Sequence, residues 1–447
     1  MSLASRARQD QRPGLSGWGR TYLPGVERRS EDLARDSVGK HLSRGLGRSY
    51  GDSSLLAKGD QVALGTTLAD RILGFDEATG VLRVEAGLCL AELNRLFLPR
   101  LWFTPVTPGT KFVTIGGMVA SDVHGKNHHV NGTFGRHVRS LLLRTGSGEL
   151  VECSREHETE LFLATLGGMG LTGHILEVSV QLEKIPSPWI YTESYRIDSL
   201  DEMLARLKSD GEKWPMTVAW CDTVAGGKKM GRGILYVGRW ATADEAPRGL
   251  PKGRPTITMP FSLPSGLLNR FTIGIFNSLV YGSHFQKVKK GFVDPDKYFY
   301  PLDSIQHWNR GYGKRGVTQH QSIIPNESGA TGLRAMIETL ADAGTASFLS
   351  VVKDCGEEGD GLLSFPKPGM SLALDLPIRD DSQQVIDRLN ATVIEHGGRV
   401  YLTKDGMTRP ADYAAMDPRV PEFLRVRKKY DPEGQLRSAQ SRRLFGE

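Results

Sequence analysis

Two domains of mixed α+β structure are what this sequence predicts, and three observations carry the prediction. At 447 residues the chain is longer than one core of ordinary size. Its 39% hydrophobic and 24% charged residues are a globular balance, not a disordered one. Runs with strand alternation and runs with helical spacing are interleaved, and 52 glycines are enough to supply many turns between them.

The most informative stretch is TPVTPGTKFVTIGGMVASDVHGKNHH, residues 104–129. Gly109, Gly116, Gly117 and Gly125 alternate there with Thr107, Thr110, Thr114, Ala120 and Ser121, a mix that exposes backbone N–H groups and permits positive φ. Such a segment suits a diphosphate. About sixty residues earlier lies RGLGRSYGD, residues 44–52, a second glycine-rich loop with two cations. The two loops suit one ligand.

Together these segments resemble the vanillyl-alcohol-oxidase type of FAD-binding oxidoreductases, in which a short and a longer glycine-rich loop clasp the flavin diphosphate. The resemblance runs nearly end to end, and within the family it points to the branch that oxidises a pentose carried on a polyprenyl phosphate. It implies a flavin domain in residues 1–186, a substrate domain on a mainly antiparallel sheet in 187–398, and a return of 399–447 to close the flavin domain. For FAD it implies contacts from Arg44, Gly45, Leu46, Gly47, Arg48, Ser49, Tyr50 and Gly51 in the first loop. The long stretch would add Pro108, Gly109, Thr110, Ile115, Gly116, Gly117, Ser121, Asp122, His124, Gly125, Asn127 and His128. Gly170, Gly173, Ile175 and Tyr401 complete the implied set.

Taken in order, the polar, Arg-rich start and the charged run at 27–40 suggest an entry segment and a first helix, with Arg28 and Arg29 solvated. Residues 62–64 and 81–87 read as short strands. Leu90, Leu93, Leu96 and Phe97 recur at helical spacing up to Pro99. Residues 138–145 and 149–153 flank a Gly-Ser-Gly turn and read as a hairpin, followed by a helix in 157–168. GMGLTG at 168–173 matches GxGxxG letter for letter, but it follows a helix and precedes the alternating run 175–180. A dinucleotide fingerprint needs the reverse order, so that the diphosphate meets a helix N-terminus. Beyond Pro186 and Pro188 the sequence predicts a helix at 198–209, a strand at 217–220, and an unusual apolar, aromatic segment over 261–291. Phe271, Ile275, Phe276, Leu279 and Val280 sit there near Lys287, Lys289 and Lys290, the composition of either a core helix or a flap at a lipid surface.

The net charge of +6 admits a phosphorylated ligand or an anionic membrane, and no nucleic-acid motif accompanies it. Cys89, Cys153, Cys221 and Cys355 form no CxxC pair, which predicts reduced thiols rather than a zinc or redox site. No signal peptide or transmembrane run is read, so the expected location is cytoplasmic or peripheral at the inner membrane.

Alcohol oxidation by a flavin needs alignment of the carbon that loses hydride, a base for the hydroxyl proton, and charge control. Alternation in Thr318-Gln319-His320-Gln321-Ser322 would aim Gln319 and Gln321 at one face of a strand. The resemblance places Gln319, Lys353 and Tyr50 toward the sugar and gives catalytic roles to Lys404, His124 and Gln321. Lys404 is read as lying in a strand that ends at Asp405, and as orienting the substrate oxygen rather than acting as base. His124 and His128 stand one helical turn apart, but Gly125 and Asn127 argue for a loop, and no metal is expected. The first loop has Ser49 and Tyr50 and no histidine or cysteine, so FAD should be held without a covalent bond. Some members carry a cysteine in the strand near residue 373, where this chain has Ala373. The implied activity is oxidation of the C2 hydroxyl of the lipid-linked pentose, with a separate NAD(P)H-dependent keto-reductase and oxygen or quinone as electron acceptor. Oxidation of free sugars, alditols or aldonolactones is the alternative.

Overall fold

The computed structural model describes residues 14–253 and 255–446; the Arg-rich start of the chain lies outside the described residues. Alternation in the first half builds a five-stranded antiparallel sheet. Its spatial order is Leu150–Ser154, Val138–Arg144, His174–Gln181, Val81–Glu85, Ile72–Asp76. The inward residues meet across strands, Leu141 opposite Val178 and Leu143 opposite Ile175, all of them buried. Helix Leu90–Phe97 buries Leu90, Leu93 and Phe97, the i, i+3, i+7 stripe. GMGLTG links helix Thr159–Thr165 to strand His174–Gln181, helix before strand.

A small parallel sheet orders Val26–Arg29, Val62–Gly65 and Ser43–Arg44. It corrects the expectation for 27–40: Val26–Arg29 is a strand, and the helix shrinks to Leu33–Asp36. Pairing with a strand more than thirty residues away overrides a local charge pattern that reads as helix.

The second half carries an eight-stranded sheet in the order Val288–Val293, Ile190–Ile197, Gly233–Trp240, Met216–Cys221, Ser350–Cys355, Gly369–Pro377, Val317–Pro325, Arg399–Val400. Every neighbouring pair is antiparallel. Strands Val317–Pro325 and Gly369–Pro377 are buried along nearly their whole length, so both faces are covered. Helices Gly329–Asp342 and Ser382–Glu395 cover one face, where His320 bonds Asn390 at 3.0 Å and Ser322 bonds Met336. The opposite face looks toward the first half of the chain.

The C-terminal segment leaves the large sheet after Val400 and packs on the first half. Arg443 donates to both oxygens of Asp52, at 2.9 and 2.7 Å, and to Asp405 at 2.8 Å. Arg437 makes a two-pronged pair with Asp60, and Tyr430 accepts from the Ser147 amide. Gly51 is where the two segments come closest: a Cβ there would stand 1.8 Å from the Asp405 carbonyl oxygen. Lys404 therefore lies in a turn, with the 404 and 405 amides both bonded to the Tyr401 carbonyl, and not in the expected strand. The backbone must fold back at that point to meet Gly51.

Arg443→Ala would leave Asp52 and Asp405 enclosed without their counter-charge, so a loss of about 3 kcal/mol in unfolding free energy is expected by urea denaturation. A change below about 0.5 kcal/mol would show that the clasp is dispensable.

Candidate active site

The face of the large sheet turned toward the first half is set by register. Gln319 pairs with Asp375 and Gln321 with Ala373; Lys353 pairs with Ser371 and Val351 with Ala373. Period two places Gln319, Gln321, Ala373, Asp375 and Lys353 on one face, and Trp220 and Tyr236 continue it through Met216–Cys221 and Gly233–Trp240. Across from them stand the long glycine-rich stretch, the first loop and the Tyr401–Lys404 turn. Gln321 touches His124 at 2.9 Å, Tyr401 donates to the Ser121 carbonyl at 2.8 Å, and the Gly356 amide donates to His128 Nδ1 at 3.1 Å. The Lys404 ammonium sits 4.2 Å from the centre of the Tyr50 ring.

The two glycine-rich loops touch each other. A Cβ on Gly45 would meet Thr114 Oγ1 at 2.4 Å, and Arg48 Nε donates to the Phe112 carbonyl at 3.1 Å. The backbone N–H groups of Gly45, Leu46, Gly47, Arg48 and Ser49 find no acceptor among the described residues. Consecutive unclaimed N–H groups of this kind form an anion-holding surface. Ile115–Ala120 is a helix capped by Thr114 rather than a loop, and none of Gly109, Gly116, Gly117 and Gly125 has positive φ. Their lack of a side chain serves closeness instead. A Cβ on Gly116 would stand 2.8 Å from Ala86 Cβ, and one on Gly125 would meet Asn127 Oδ1 at 2.6 Å. Gly109 and Gly170 face open space, and Gly117 has only Thr114 Oγ1 nearby.

Arg44 is engaged within the protein. Its guanidinium is spent on Glu27, Ser54 and the Ser16 carbonyl. Arg48 lies over the Trp18 ring at 4.2 Å. Asp122 is likewise engaged, accepting from the Gly135 amide and from Ser364, and burial raises its pKa to about 6. Asn127 holds the Pro105 carbonyl and Asn131. Gly173 packs against Leu143 and the Arg144 carbonyl, and Ile175 is buried in the core beside it. Leu46 is exposed; Ser49 and Gly51 carry the loop against Trp18 and Asp405; Pro108 and Thr110 lie in the segment leading to the helix.

The cleft is rich in bases. Burial holds His124 well below the usual imidazole range, with Lys353, His128 and Lys404 adding to the effect. Burial and Lys353 take His128 down to about 3 and Lys126 down to about 7. Lys353 is lowered by burial. Lys404 is lowered by burial against the pull of Asp375, and burial raises Asp375 although Gln319 donates to it. With Gln321 donating to Nε2, the His124 ring proton is on Nδ1; with Gly356 donating to Nδ1, that of His128 is on Nε2. Neither N–H has a partner among the described residues, and neither does Asp375 Oδ2.

Lys126 and Asp375 are the members of this cluster that sequence reading did not single out. Lys126 Nζ donates to the Tyr298 and Phe299 carbonyls at 2.7 and 3.0 Å. It stands between the named residues Gly125 and Asn127, and Asp375 falls in the same alternation as Ala373. A count of charged residues at inward positions would have found both.

Residues 32–154 match the model of the FAD binding domain family. The chain is 35% identical over 453 residues to the decaprenylphosphoryl-beta-D-ribose oxidase of Mycolicibacterium smegmatis, covering 96% of this chain and 97% of that one. It is 33% identical to an uncharacterized protein in the mprA 5' region of Streptomyces coelicolor, over 80% of this chain and all of that one. A D-lactate dehydrogenase of Anaerostipes hadrus is 27% identical over 29% of this chain and 28% of its own length. The chain belongs to the FAD-dependent oxidoreductases of the vanillyl-alcohol-oxidase type, in the family of the decaprenylphosphoryl-β-D-ribose oxidases. The unclaimed N–H groups at 45–49, the open backbone at Gly109, Gly117 and Gly170, and the two free imidazole N–H groups fit the phosphates and polar ring edge of FAD.

Gly117→Val should fold but purify without flavin, since a side chain there meets almost nothing of the protein, whereas Gly116→Val should fail to fold because it strikes Ala86. Visible flavin absorbance and circular dichroism of both variants check this. Full flavin content in Gly117→Val would remove the long stretch from the cofactor site.

Proposed function

We propose that this oxidoreductase oxidises the C2 hydroxyl of a pentose joined through phosphate to a polyprenyl chain, a substrate of the decaprenylphosphoryl-β-D-ribose type, giving the 2-keto sugar. The observation that supports this most is the polar wall of Gln319, Gln321 and Lys353 facing Lys404 and the flavin loops, with an exposed apolar helix, Arg270–Ser283, beside the same half of the molecule. Similarity to the M. smegmatis oxidase suggests the sugar and the lipid. In this reading residues 1–186 with 399–447 hold the cofactor and residues 187–398 the substrate. FAD is bound without a covalent link.

FAD, when bound, supplies a two-electron acceptor for the hydride that leaves C2. The chain must hold the sugar and manage the hydroxyl proton. Lys404 as ammonium binds the C2 oxygen and stabilises the negative charge that grows on it. Gln319 and Gln321 fix neighbouring sugar oxygens, and Tyr50 supports Lys404 from below. Lys353 on the wall and the free N–H of His124 across from it hold developing negative charge. Asp375, with one unpaired oxygen and a raised pKa, is the proton acceptor on this face. A separate NAD(P)H-dependent reductase would return the keto sugar to the epimeric alcohol for arabinan and cell-envelope synthesis, and oxygen or a quinone would take the electrons. Among the described residues no helix is long and apolar enough to cross a membrane; the exposed face of Arg270–Ser283 suits a peripheral contact.

Anaerobic flavin reduction should be fast with a short-prenyl phosphoryl ribose and slow with free ribose, alditols and aldonolactones. Equal rates would give the alternative substrates precedence. Lys404→Ala should keep its flavin and slow reduction by roughly two orders of magnitude. Because its pKa is lowered, the Lys404 charge is present at low pH and lost as pH rises through that value. The wild-type rate should therefore fall on the alkaline side, and Lys404→Arg, slower throughout, should lose that limb. A rate that rises with pH over the same range would make Lys404 the base. Acid denaturation should release all FAD into solution; colour left on the polypeptide would mean a covalent link.

A further inference from the structure

Next to the sugar wall is a cavity of about 380 Å³, within the range of small-ligand sites. Arg270, Arg315 and Arg379 line it, and no carboxylate does. Arg315 and Arg379 are paired at the rim with Asp380 and Asp381. Arg270 is different: its guanidinium has only long bonds to the Thr345 and Val224 carbonyls, at 3.4 and 3.5 Å, and no ion pair among the described residues. It is half-buried and opens the fourteen-residue helix Arg270–Ser283, so the positive end of the helix adds to its charge.

The two sides of the cavity match a lipid-linked sugar. Its inner wall is Tyr312, which is 4% exposed, turns its hydroxyl toward Asp375, and packs in one cluster with Tyr50, the residue beneath Lys404. Phe348 bridges Tyr312 to Phe276 of the helix, with ring centres 6.2 and 4.7 Å apart. On the outer side Phe271, Ile275 and Leu279 follow at i, i+4, i+8 and are 76%, 49% and 68% exposed. Sugar wall, cationic cavity and apolar stripe thus succeed one another in the order of sugar, phosphate and prenyl chain.

We propose that this cavity seats the phosphate between sugar and lipid, with Arg270 as its principal cation and the apolar stripe receiving the first prenyl units. The inference rests on the substrate class proposed above and adds the residues that read its phosphate. Arginine suits the task because its fork donates to two phosphate oxygens at once.

The test uses flavin-loaded enzyme and farnesyl phosphate, with farnesol as the phosphate-free control, titrated by calorimetry. Arg270→Ala should weaken farnesyl phosphate at least tenfold, leave farnesol unchanged, and raise KM for farnesylphosphoryl-β-D-ribose by a similar factor with kcat within about twofold, the loss of one charge-assisted contact outside the reacting centre. Arg270→Lys should recover part of the loss and, with normal flavin content, shows that folding is intact. Unchanged affinity, an equal loss for farnesol, or a fall in kcat at constant KM overturns the assignment. Inorganic phosphate and phosphatidylglycerol vesicles separate the sources of phosphate: loss of vesicle binding in Arg270→Ala with farnesyl phosphate unaffected would make this a membrane contact and overturn it. If wild-type enzyme is not reduced by the ribose compound while farnesyl phosphate still binds through Arg270, the phosphate seat stands and the sugar reading falls.

Discussion

Enclosing five bases, Lys126, Lys353, Lys404, His124 and His128, in one cleft with Asp375 as the facing carboxylate is the constraint on which the rest depends. Burial lowers the readiness of each to carry a proton, and the charge of Lys353 lowers that of the other four further. The two imidazoles answer by staying neutral, which is why each can keep one N–H for a ligand. The lysines answer by holding what polarity the protein offers: Lys126 two carbonyls, Lys404 an aromatic face. A cleft in this state favours anionic and electron-rich occupants over cations, and the flavin phosphates and a sugar alkoxide belong to that class.

The wall and the loops were read from sequence with unequal success, for physical reasons. Strand alternation is local, so the shared face of Gln319 and Gln321 was visible in five letters. The reversed order around GMGLTG was visible for the same reason, since a helix on one side and a strand on the other are both local patterns. Charge partners are not local. Arg44 spends its guanidinium on Glu27, seventeen residues away in sequence, and Lys404 is shaped by Gly51, in the first eighth of the chain. Val26–Arg29 reads as helix until its ladder partner is known. The glycines of the long stretch signalled closeness correctly, but composition could not distinguish closeness within a helix from a left-handed turn.

The sheet face also explains how one cleft can serve two ligands. Antiparallel strands covered by helices on the far side leave a stiff polar surface whose side chains are fixed by register. The opposing surface comes from loops shaped around bare backbone. In the proposed function, substrate groups are read by side chains and cofactor groups largely by main chain, so changes on the strands would alter what is oxidised and changes in the loops whether anything is.

The approach of Gly51 to Asp405 and the Arg443 clasp on Asp52 tie the first flavin loop to the last residues of the chain. A nascent chain still on the ribosome has made that loop but not its partner, so its unclaimed amides have no fixed spacing at that stage. Nearly four hundred residues must be synthesised before the loop closes, a connection of very high sequence separation. The loop therefore takes its final spacing only once residues 405 and 443 have been synthesised.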